Sequence, residues 1–262
     1  MNFKPVNKTI LEPLRLFIAD LHLDGDASPH ALAFRNFLSR LAAQASERPV
    51  KLYLLGDVFE FWDEYHPQVI ARYEDDLKAL ESAHRSGVHL HFADGNRDFL
   101  YGPYVEKRLG AQLLRDGARL ELSPDMALWV EHGDLICRAD VRYLNYRARV
   151  RSSTIKFIFR MLPWFIASRI VERIAAKSKA DCTRKTPREF EPDLDYAYQR
   201  LKTNGCQTLV CGHTHREEIS DLGHGFRLIV LPPWCETHAG YIVRGSLLQR
   251  VKINHDGYWV TS

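Results

Sequence analysis

The sequence lacks the features that mark membrane-spanning, secreted and disulfide-stabilised proteins. No apolar run reaches the roughly 18–20 residues that a transmembrane helix requires. The N-terminal residues include no apolar stretch long enough for a secretory signal, so none is expected. The five cysteines are odd in number and form no Cys-x-x-Cys pair. This pattern favours reduced thiols in a cytosolic protein over a disulfide framework or a zinc ribbon.

Internal repeats and low-complexity segments are absent as well, which leaves a globular protein as the class to consider. The 262 residues are 45% hydrophobic and 26% charged, a balance that allows the chain to bury a sizeable core. This length accommodates one large domain, or one domain that carries an insertion.

The net charge of +3 conceals a strongly basic segment. Residues 138–188 contain 14 Lys and Arg but only three acidic residues, whereas the rest of the chain has 22 basic and 30 acidic residues. Such a segment suits an anionic partner, namely nucleic acid, phospholipid head groups or a phosphorylated substrate. The alternative, a basic helix face that is simply solvated, stays open at this point.

Short apolar runs alternate with helical segments over most of the chain. Strands are predicted at 14–19, 52–55, 88–93, 126–130 and 208–211, and helices are predicted to begin at Pro29 and Pro67. Three later runs predict antiparallel strands at 227–231, 240–244 and 247–253. This order predicts a layered α/β sandwich as the core, formed by residues 1–139 and 190–262. Residues 140–189 have no strand character, so we predict a helical insertion, or lid, there.

Each of the five strands predicted in the alternating part ends in a polar cluster. Because ligands bind at the carboxyl ends of strands in α/β sheets, these clusters are expected to converge on one site. Their chemistry-bearing residues are Asp20, His22, Asp57, Asn96, His132, His213 and His215. Imidazoles, carboxylates and an amide oxygen suit borderline divalent ions such as Mn²⁺, Fe²⁺ or Zn²⁺, and do not suit a Ca²⁺ cage. Seven ligands suffice for two ions if one carboxylate bridges them.

The ordered blocks Asp-x-His, Gly-Asp, Gly-Asn-x-Asp, His-Gly-Asp and Gly-His-x-His span residues 20–215. Together they resemble the signature of the calcineurin-like metallophosphoesterases. The resemblance implies that Asp57 bridges two metal ions. It also implies the ligands that complete the two sites: Asp20, His22 and His215 for one, and Asn96, His132 and His213 for the other.

Arg97 stands in the third block, where most of the superfamily has histidine. Arginine does not release a proton near neutral pH, but its guanidinium binds phosphate oxygens through two parallel donors. An enzyme with this exchange requires a leaving group that is stable as an anion, as a phosphate is when a diphosphate is split. The alternative is that Arg97 only pairs with Asp98 or with a surface carboxylate.

Residues 16–23, 55–62 and 95–100 resemble the UDP-2,3-diacylglucosamine diphosphatases of lipid A biosynthesis. The resemblance implies hydrolysis of that nucleotide-linked lipid to UMP and 2,3-diacylglucosamine 1-phosphate, with two divalent ions as cofactors, and Mn²⁺ is the expected metal. It implies a cytoplasmic enzyme that is peripheral on the inner face of the inner membrane. Arg97 and His213 would assist catalysis. The implied substrate contacts are Asn96, Arg97, Asp140, Ser178, Lys185 and His213. Cys182 falls where the family has a polar contact residue, which leaves the head group and acyl chains open.

Residues 155–166 support a lipid substrate independently, because nine of these positions are large and apolar. A helix that is apolar on nearly all sides must be buried or in contact with lipid. This one is too short to span a bilayer and is flanked by arginines, as an interfacial helix is. Phe157, Trp164 and Phe165 are therefore expected to face acyl chains or the membrane. The alternative is a hairpin that packs on the core.

Two other functions are compatible with parts of the sequence. A metallophosphoesterase that acts on a soluble nucleotide or phosphodiester would use the same metal ligands, with an apolar insertion that is merely structural. A nucleic-acid binder would use the basic segment. Because nucleic-acid binding does not require seven metal ligands, no nucleic-acid partner is expected.

Overall fold

The apolar runs of the sequence form two β-sheets that pack face to face. A computed structural model describes residues 12–123, 126–182, 186–245 and 247–261, without the side chains of residues 177–182 and 187. The described strands are β1 Leu14–Ile18, β2 Val50–Leu54, β3 Val88–Ala93, β4 Gln112–Leu114, β5 Ala118–Ser123, β6 Met126–Val130, β7 Thr208–Cys211, β8 Glu218–Gly223, β9 Phe226–Val230, β10 Ala239–Arg244, β11 Leu247–Ile253 and β12 Trp259–Thr261.

The larger sheet has the strand order β12-β11-β10-β1-β2-β3-β4, and the smaller sheet has the order β5-β6-β7-β9-β8. Strands β1 to β4 run parallel, and β10 to β12 extend that sheet in antiparallel fashion. In the smaller sheet β6, β7 and β9 are parallel, with antiparallel β5 and β8 at the edges. The carboxyl ends of β1, β2, β3, β6 and β7 are the ends that carry the predicted ligands.

Helices cover the outer faces of both sheets. Their bounds are α1 Pro29–Ala45, α2 Pro67–Arg72, α3 Glu74–Arg85, α4 Val141–Val150, α5 Ser153–Met161, α6 Trp164–Cys182, α7 Pro187–Phe190, α8 Leu194–Asn204 and α9 Trp234–Thr237, with a π-helical turn at Tyr104–Arg108. Apolar side chains of α1 and α3 pack on the larger sheet, and those of α8 pack on the smaller one. The layers are therefore helix, sheet, sheet and helix. No helix in the described part of the chain combines the length and the apolarity needed to cross a membrane.

The layer between the sheets contains a stack of aromatic rings. The centroid of Phe17 lies 4.6 Å from that of Tyr53, and Tyr53 lies 4.4 Å from the imidazole of His91. Val130 and Ile229 of the smaller sheet belong to the same apolar cluster. This layer fixes the two sheets against each other and thereby brings their strand ends to one edge of the molecule.

The architecture confirms the predicted α/β sandwich. Strands β3, β6, β7 and β11 have the predicted bounds, and β1, β2, β9 and β10 differ from them by two residues or fewer. One predicted pairing is wrong, because β9 runs parallel to β7 and antiparallel only to β8. The edge strands β4, β5, β8 and β12 are additional to the prediction. They are short or carry charges on their exposed side, so their hydrophobic signal is weak.

One helix prediction also needs correction. The helix predicted from Pro67 is divided, since α2 ends at Arg72, α3 begins at Glu74, and the buried ring of Tyr73 lies at the junction. The helix predicted from Pro29 is confirmed as α1, where Phe34 is fully buried and Leu32 is 46% exposed.

Helices α4 to α7 occupy the segment for which an insertion is predicted. The single apolar helix expected over 155–166 is wrong, because the chain is extended at Leu162, immediately before Pro163, and this separates α5 from α6. His66 secures this corner. Its Nε2 lies 2.8 Å from the carbonyl oxygen of Leu162, and its Nδ1 contacts the buried carboxylate of Asp63. The boundaries of the insertion at 140 and 189 stay a prediction.

Candidate active site

All seven predicted ligands lie on loops that directly follow the parallel strands. Asp20 and His22 follow β1, Asp57 follows β2, and Asn96 follows β3. From the smaller sheet come His132 after β6, and His213 and His215 after β7. The structure brings these side chains together in two adjoining groups at the edge where both sheets end.

The first group contains Asp20, His22 and His215. The Nε2 atoms of the two histidines lie 3.1 Å apart, and Asp20 Oδ1 lies 3.6 Å from His215 Nε2. Asp57 approaches the same group, with its Oδ2 4.0 Å from His22 Nε2.

The second group contains Asn96, His132 and His213. Asn96 Oδ1 lies 3.0 Å from both His132 Nε2 and His213 Nδ1, and these two nitrogens lie 3.2 Å apart. The other oxygen of Asp57, Oδ1, lies 3.7 Å from His132 Nε2. Asp57 therefore presents one carboxylate oxygen to each group, which is the arrangement that a bridging ligand requires.

The donor atoms in these groups fit divalent cations. Two atoms bound at right angles to one ion, each about 2.1 Å from it, are about 3.0 Å apart, close to the nitrogen–nitrogen and nitrogen–oxygen separations observed. Asp20 Oδ1 is fully buried and has no hydrogen-bond partner among the described residues. An unpaired buried carboxylate oxygen is costly unless a cation balances it. The residues present thus suit a pair of divalent ions.

The charged side chains shift one another's pKa values. Burial opposes ionisation of Asp57, but His132, His22 and Arg97 outweigh it and lower the pKa of this carboxyl. Burial dominates for Asp20 and raises its pKa. The pKa values of His22 and His132 are raised, because the carboxylates outweigh the opposing effect of burial. Positive charge is therefore favoured at this position, whether protons or metal ions supply it.

The backbone at the site is unusually bent. Five of the seven predicted ligands have φ in the left-handed region, which is uncommon for residues other than glycine. Their φ angles are 53° at Asp20, 48° at His22, 50° at Asp57, 77° at His213 and 55° at His215. The sharp turns carry each chain segment away from its strand while its side chain stays directed at the centre.

Two glycines allow the loops to approach closely. A Cβ atom at Gly95 would overlap the amide nitrogen and Oδ1 of Asp57, and one at Gly212 would overlap Oδ2 of Asp20. The glycines next to the ligands are therefore part of the site, since any larger residue would displace a carboxylate.

Asp98 organises the loop that carries Asp57, although it was not among the predicted site residues. Its buried carboxylate accepts hydrogen bonds from the backbone N–H groups of Asp57, Val58, Phe59 and Gly95, at 2.6–3.2 Å, and from the hydroxyl of Tyr101. Burial and the nearby charge of Asp57 raise the pKa of Asp98 to about 6. The available signal was its place as the last residue of the Gly-Asn-x-Asp block.

An acceptor outside the groups orients the ring of His132, and carboxylates lie near Nδ1 of two further imidazole rings. His132 Nδ1 lies 2.9 Å from the carbonyl oxygen of Leu55. His22 Nδ1 lies 3.4 Å from Glu60, and His215 Nδ1 lies 3.5 Å from Glu236. A proton held at Nδ1 leaves the Nε2 lone pair for a metal ion. Neither glutamate is among the predicted site residues, because only the fold places them beside the rings.

Arg97 lies at the bridging carboxylate. Its backbone N–H donates to Asp57 Oδ1 at 3.0 Å, and its Nε lies 3.7 Å from Asp57 Oδ2. The guanidinium also pairs with the partly exposed carboxylate of Glu60. It does not pair with Asp98, one of the two alternatives that the sequence left open. The side chain is 31% exposed, so part of it faces the solvent beside the centre.

The remaining predicted substrate contacts fall in the segment predicted as an insertion, residues 140–189. Asp140 is buried at the N-terminus of α4, where its Oδ1 accepts the backbone N–H of Tyr143 at 2.9 Å. Lys185 lies outside the described residues. Ser178 and Cys182 lie near the C-terminal end of α6, among the residues whose side chains are outside the described set.

The α5–α6 corner divides its aromatic residues between two surroundings. Phe159 and Trp164 contact the ring of His66, and Trp164 is partly buried against the core, contrary to the expectation that it faces lipid. Phe157 and Phe165 are 65% and 61% exposed. Five further large apolar side chains of these two helices are exposed: Ile155, Ile158, Met161, Ile166 and Ile174. One face of the corner therefore packs on the core and the other is open, and contact of the open face with lipid stays a prediction.

A two-sheet α/β sandwich that gathers seven candidate metal ligands at its strand ends is the architecture of the calcineurin-like metallophosphoesterases. Among solved structures, the chain is similar to a dimetal phosphatase from Danio rerio, with a TM-score of 0.46 and 12% identity over 95% of this chain and 98% of the other. A nuclease from Pseudomonas putida gives a TM-score of 0.41 and 16% identity over 95% and 87%. No family model matches the chain.

Curated relatives identify the particular family. The chain is 35% identical to the UDP-2,3-diacylglucosamine hydrolase of Haemophilus influenzae strain PittGG, over 86% of this chain and 92% of the relative. The proteins of the same name from Pasteurella multocida and Vibrio vulnificus strain YJ016 are 35% and 32% identical, over 84% and 93% of this chain and 90% and 95% of theirs. The chain belongs to the UDP-2,3-diacylglucosamine hydrolase family.

Proposed function

We propose that the chain hydrolyses the diphosphate of UDP-2,3-diacylglucosamine to UMP and 2,3-diacylglucosamine 1-phosphate, with two Mn²⁺ ions as cofactors. The observation that carries the proposal is the position of Arg97 beside the carboxylate that both groups of ligands share. The names of the curated relatives support the same substrate.

The side chains divide the work of holding the cations and the substrate. Asp20, His22 and His215 would hold one ion, Asn96, His132 and His213 would hold the other, and Asp57 would be shared. Bound ions would supply Lewis-acid chemistry here, namely a lower pKa for the attacking water and neutralisation of charge on the phosphoryl oxygens. The ligands' own contribution is rigidity, because Asp98 fixes the Asp57 loop through four backbone N–H groups.

Arg97 binds the diphosphate in this proposal. Its guanidinium exchanges the exposed carboxylate of Glu60 for phosphate oxygens, which it binds with charge-assisted hydrogen bonds. Because the guanidinium of Arg97 donates no proton, the 1-phosphate leaves as an anion, which a diphosphate substrate permits. His213 lies at the open side of the second group, where its partly buried ring assists at the attacked phosphoryl group.

The insertion, residues 140–189, handles the lipid part of the substrate. Exposed Phe157 and Phe165 offer apolar area to acyl chains or to a bilayer surface, and the arginines around them suit anionic head groups. We assign substrate contacts to Asp140, at the N-terminus of α4, and to Ser178 and Lys185, which come later in the insertion. The proposed location is the cytoplasmic face of the inner membrane, as a peripheral protein, without a nucleic-acid partner.

The test is incubation of the purified protein with UDP-2,3-diacylglucosamine and Mn²⁺, followed by chromatography for UMP. Arg97→His restores the commoner superfamily residue, so we expect it to lose diphosphate cleavage while it keeps activity on an activated aryl phosphodiester. Asp57→Ala is the control that loses both activities together with bound metal.

Two outcomes would contradict the proposal. Absence of UMP from the wild-type reaction, with aryl phosphodiester cleavage intact, would favour a soluble nucleotide or phosphodiester as substrate. Equal losses on both substrates in Arg97→His would mean that this arginine supports the loop instead of binding the diphosphate.

A further inference from the structure

Two arginines in the first part of the insertion face the active-site edge. Arg147 lies on α4, and Arg151 directly follows the last residue of that helix. Because they are four positions apart, their side chains lie on the same side of the helix. The two side chains are only 13% and 11% exposed, although arginine is mostly a surface residue. Neither arginine is among the predicted site residues.

Arg151 holds the loop that carries Asn96. Its Nη2 donates to the carbonyl oxygen of Gly95 at 2.6 Å. That carbonyl belongs to the planar peptide group between Gly95 and Asn96, so the contact restrains the backbone from which the Asn96 side chain departs. The Nη1 lies 3.5 Å from the buried carboxylate of Asp94, and the guanidinium carbon lies 5.1 Å from the ring centroid of Phe99. The guanidinium therefore restrains the loop on both sides of Asn96.

Arg147 holds the loop that carries His132. Its Nε donates to Oδ2 of Asp134 at 2.7 Å, and its Nη2 donates to Asp116, in the turn between β4 and β5, at 2.7 Å. Asp134 is buried and comes two residues after His132. A charge-assisted hydrogen bond from a guanidinium to a buried carboxylate is strong and has a fixed geometry. The contact thus restrains the backbone next to His132.

The two restrained loops come from different sheets. Asn96 follows β3 of the larger sheet, and His132 follows β6 of the smaller one. The second group of ligands requires both, and Asn96 Oδ1 lies 3.0 Å from His132 Nε2. The Nη2 of Arg151 also lies 3.9 Å from Oδ2 of Asp134, so the two arginines meet at one carboxylate. The C-terminal part of α4 therefore joins the two sheets at the points where two ligands of the second group leave them.

We propose that Arg147 and Arg151 are positioning residues that set the separation of Asn96 and His132 and thereby the affinity of the second metal position. This inference rests on the proposed two-metal hydrolase function. The arginines act through the backbone of the ligand loops and not through contact with an ion or with substrate. The ligands of the first position follow β1 and β7, so its affinity should change little. The insertion then contributes to the metal centre in addition to the lipid-handling role proposed above.

The test uses the full-length protein, freed of metal with a chelator and titrated with MnCl₂. Electron paramagnetic resonance measures the free Mn²⁺, so each titration gives the affinities of the two positions. We expect Arg147→Met and Arg151→Met to keep one wild-type affinity and to lower the other at least tenfold. Arg149→Met is the matched control, because it removes an exposed arginine of the same helix and should keep both affinities.

Ligand variants identify the position that is weakened. Asn96→Ala impairs the second position, so the addition of Arg151→Met should leave the affinity of the remaining ion unchanged. His22→Ala impairs the first position, so the addition of Arg151→Met should lower the affinity of the remaining ion at least tenfold. Effects on residues that act together are non-additive, whereas effects on independent positions add.

Two further readouts separate positioning from a general loss of structure. Arg151→Lys keeps a donor for the carbonyl oxygen of Gly95 and should recover most of the lost affinity. Excess Mn²⁺ should restore the kcat of Arg151→Met, because it refills the weakened position. A general loss of structure would weaken both positions and would not be reversed by Mn²⁺. If a methionine variant does not fold, Arg147→Lys takes its place and should weaken the second position, because one amine cannot hold both Asp134 and Asp116.

The outcomes distinguish this inference from the function on which it rests. If the wild type binds two Mn²⁺ ions and the arginine variants bind them with the same affinities, the arginines do not position the ligands, and the hydrolase proposal stands. Equal weakening of both positions would also refute the inference. If the wild type binds no Mn²⁺, the metal centre itself is wrong, and both proposals fall.

Discussion

Replacement of His91 should flatten the dependence of stability on pH. The imidazole lies in the layer between the sheets, stacked on Tyr53, and neither ring nitrogen has a hydrogen-bond partner among the described residues. Burial, with smaller contributions from Lys51 and His89, lowers the pKa of His91 from 6.5 to about 4. A ring in this position stays neutral until the solution is strongly acidic.

The sign and the size of the effect follow from the two pKa values. Between pH 6.5 and pH 4 the unfolded chain binds a proton at this residue and the folded chain does not, so acid favours unfolding. The stability is complete above pH 6.5 and is lost as the pH falls toward 4. At about 1.4 kcal/mol for each pH unit, the free energy of unfolding should drop by about 2 kcal/mol between pH 7 and pH 5 because of this residue alone.

The assay is urea denaturation at pH 7, 6 and 5, in chelator, followed by tryptophan fluorescence. His91→Phe keeps a flat ring on Tyr53 and should lose about 2 kcal/mol of the wild-type drop, whatever its stability at pH 7. His224→Gln is the matched control, since this exposed histidine lies in the turn between β8 and β9 and does not contribute to the pKa of His91. Parallel pH profiles for the wild type and His91→Phe would refute the reasoning, and His91→Gln would repeat the test if the phenylalanine does not fit.

Asp98→Ala leaves four buried backbone N–H groups without an acceptor, at a cost of about 1–3 kcal/mol each. We therefore expect urea denaturation to show that the free energy of unfolding falls by at least about 3 kcal/mol. A fall of less than about 1 kcal/mol would contradict this role of Asp98. Gly212→Ala should fold but bind less metal, because its Cβ displaces the Asp20 carboxylate, and wild-type metal content would count against the close approach. The double variant Phe157→Ser and Phe165→Ser should keep the wild-type Tm, because both rings are exposed, and should raise the KM for a diacylated substrate only. A parallel loss of activity on a water-soluble diphosphate analogue would exclude a lipid-binding role.

The residues at the strand ends could be identified from the sequence because the sheet imposes a simple rule. Each parallel strand is a short buried run, and the next polar residues must lie at the same edge. His22 and His215 are 193 positions apart in the chain, yet this rule predicts that they meet, and their Nε2 atoms lie 3.1 Å apart. The central strands were predictable for a related reason, since burial on both faces requires continuous apolar residues.

The residues that lie around the predicted ligands could not be predicted from the sequence in the same way, because their positions depend on tertiary contacts. Glu60 and Glu236 are ordinary surface residues in the sequence, and only the fold places their carboxylates beside Nδ1 of His22 and His215. Trp164 belongs to an apolar run that suggested lipid contact. The turn at Pro163 instead directs its ring toward His66.

The left-handed backbone at the ligands has a consequence for how the family changes over evolutionary time. Each residue held in a sparsely populated conformation costs on the order of 1–3 kcal/mol, and five of the seven ligands are held in this way. Asparagine or glycine would occupy those positions with less strain. A descendant released from selection for hydrolysis should therefore drift toward these residues and become more heat-resistant as it loses its metals. Histidine and aspartate at these turns are therefore explained by the chemistry of the site and not by their contribution to stability.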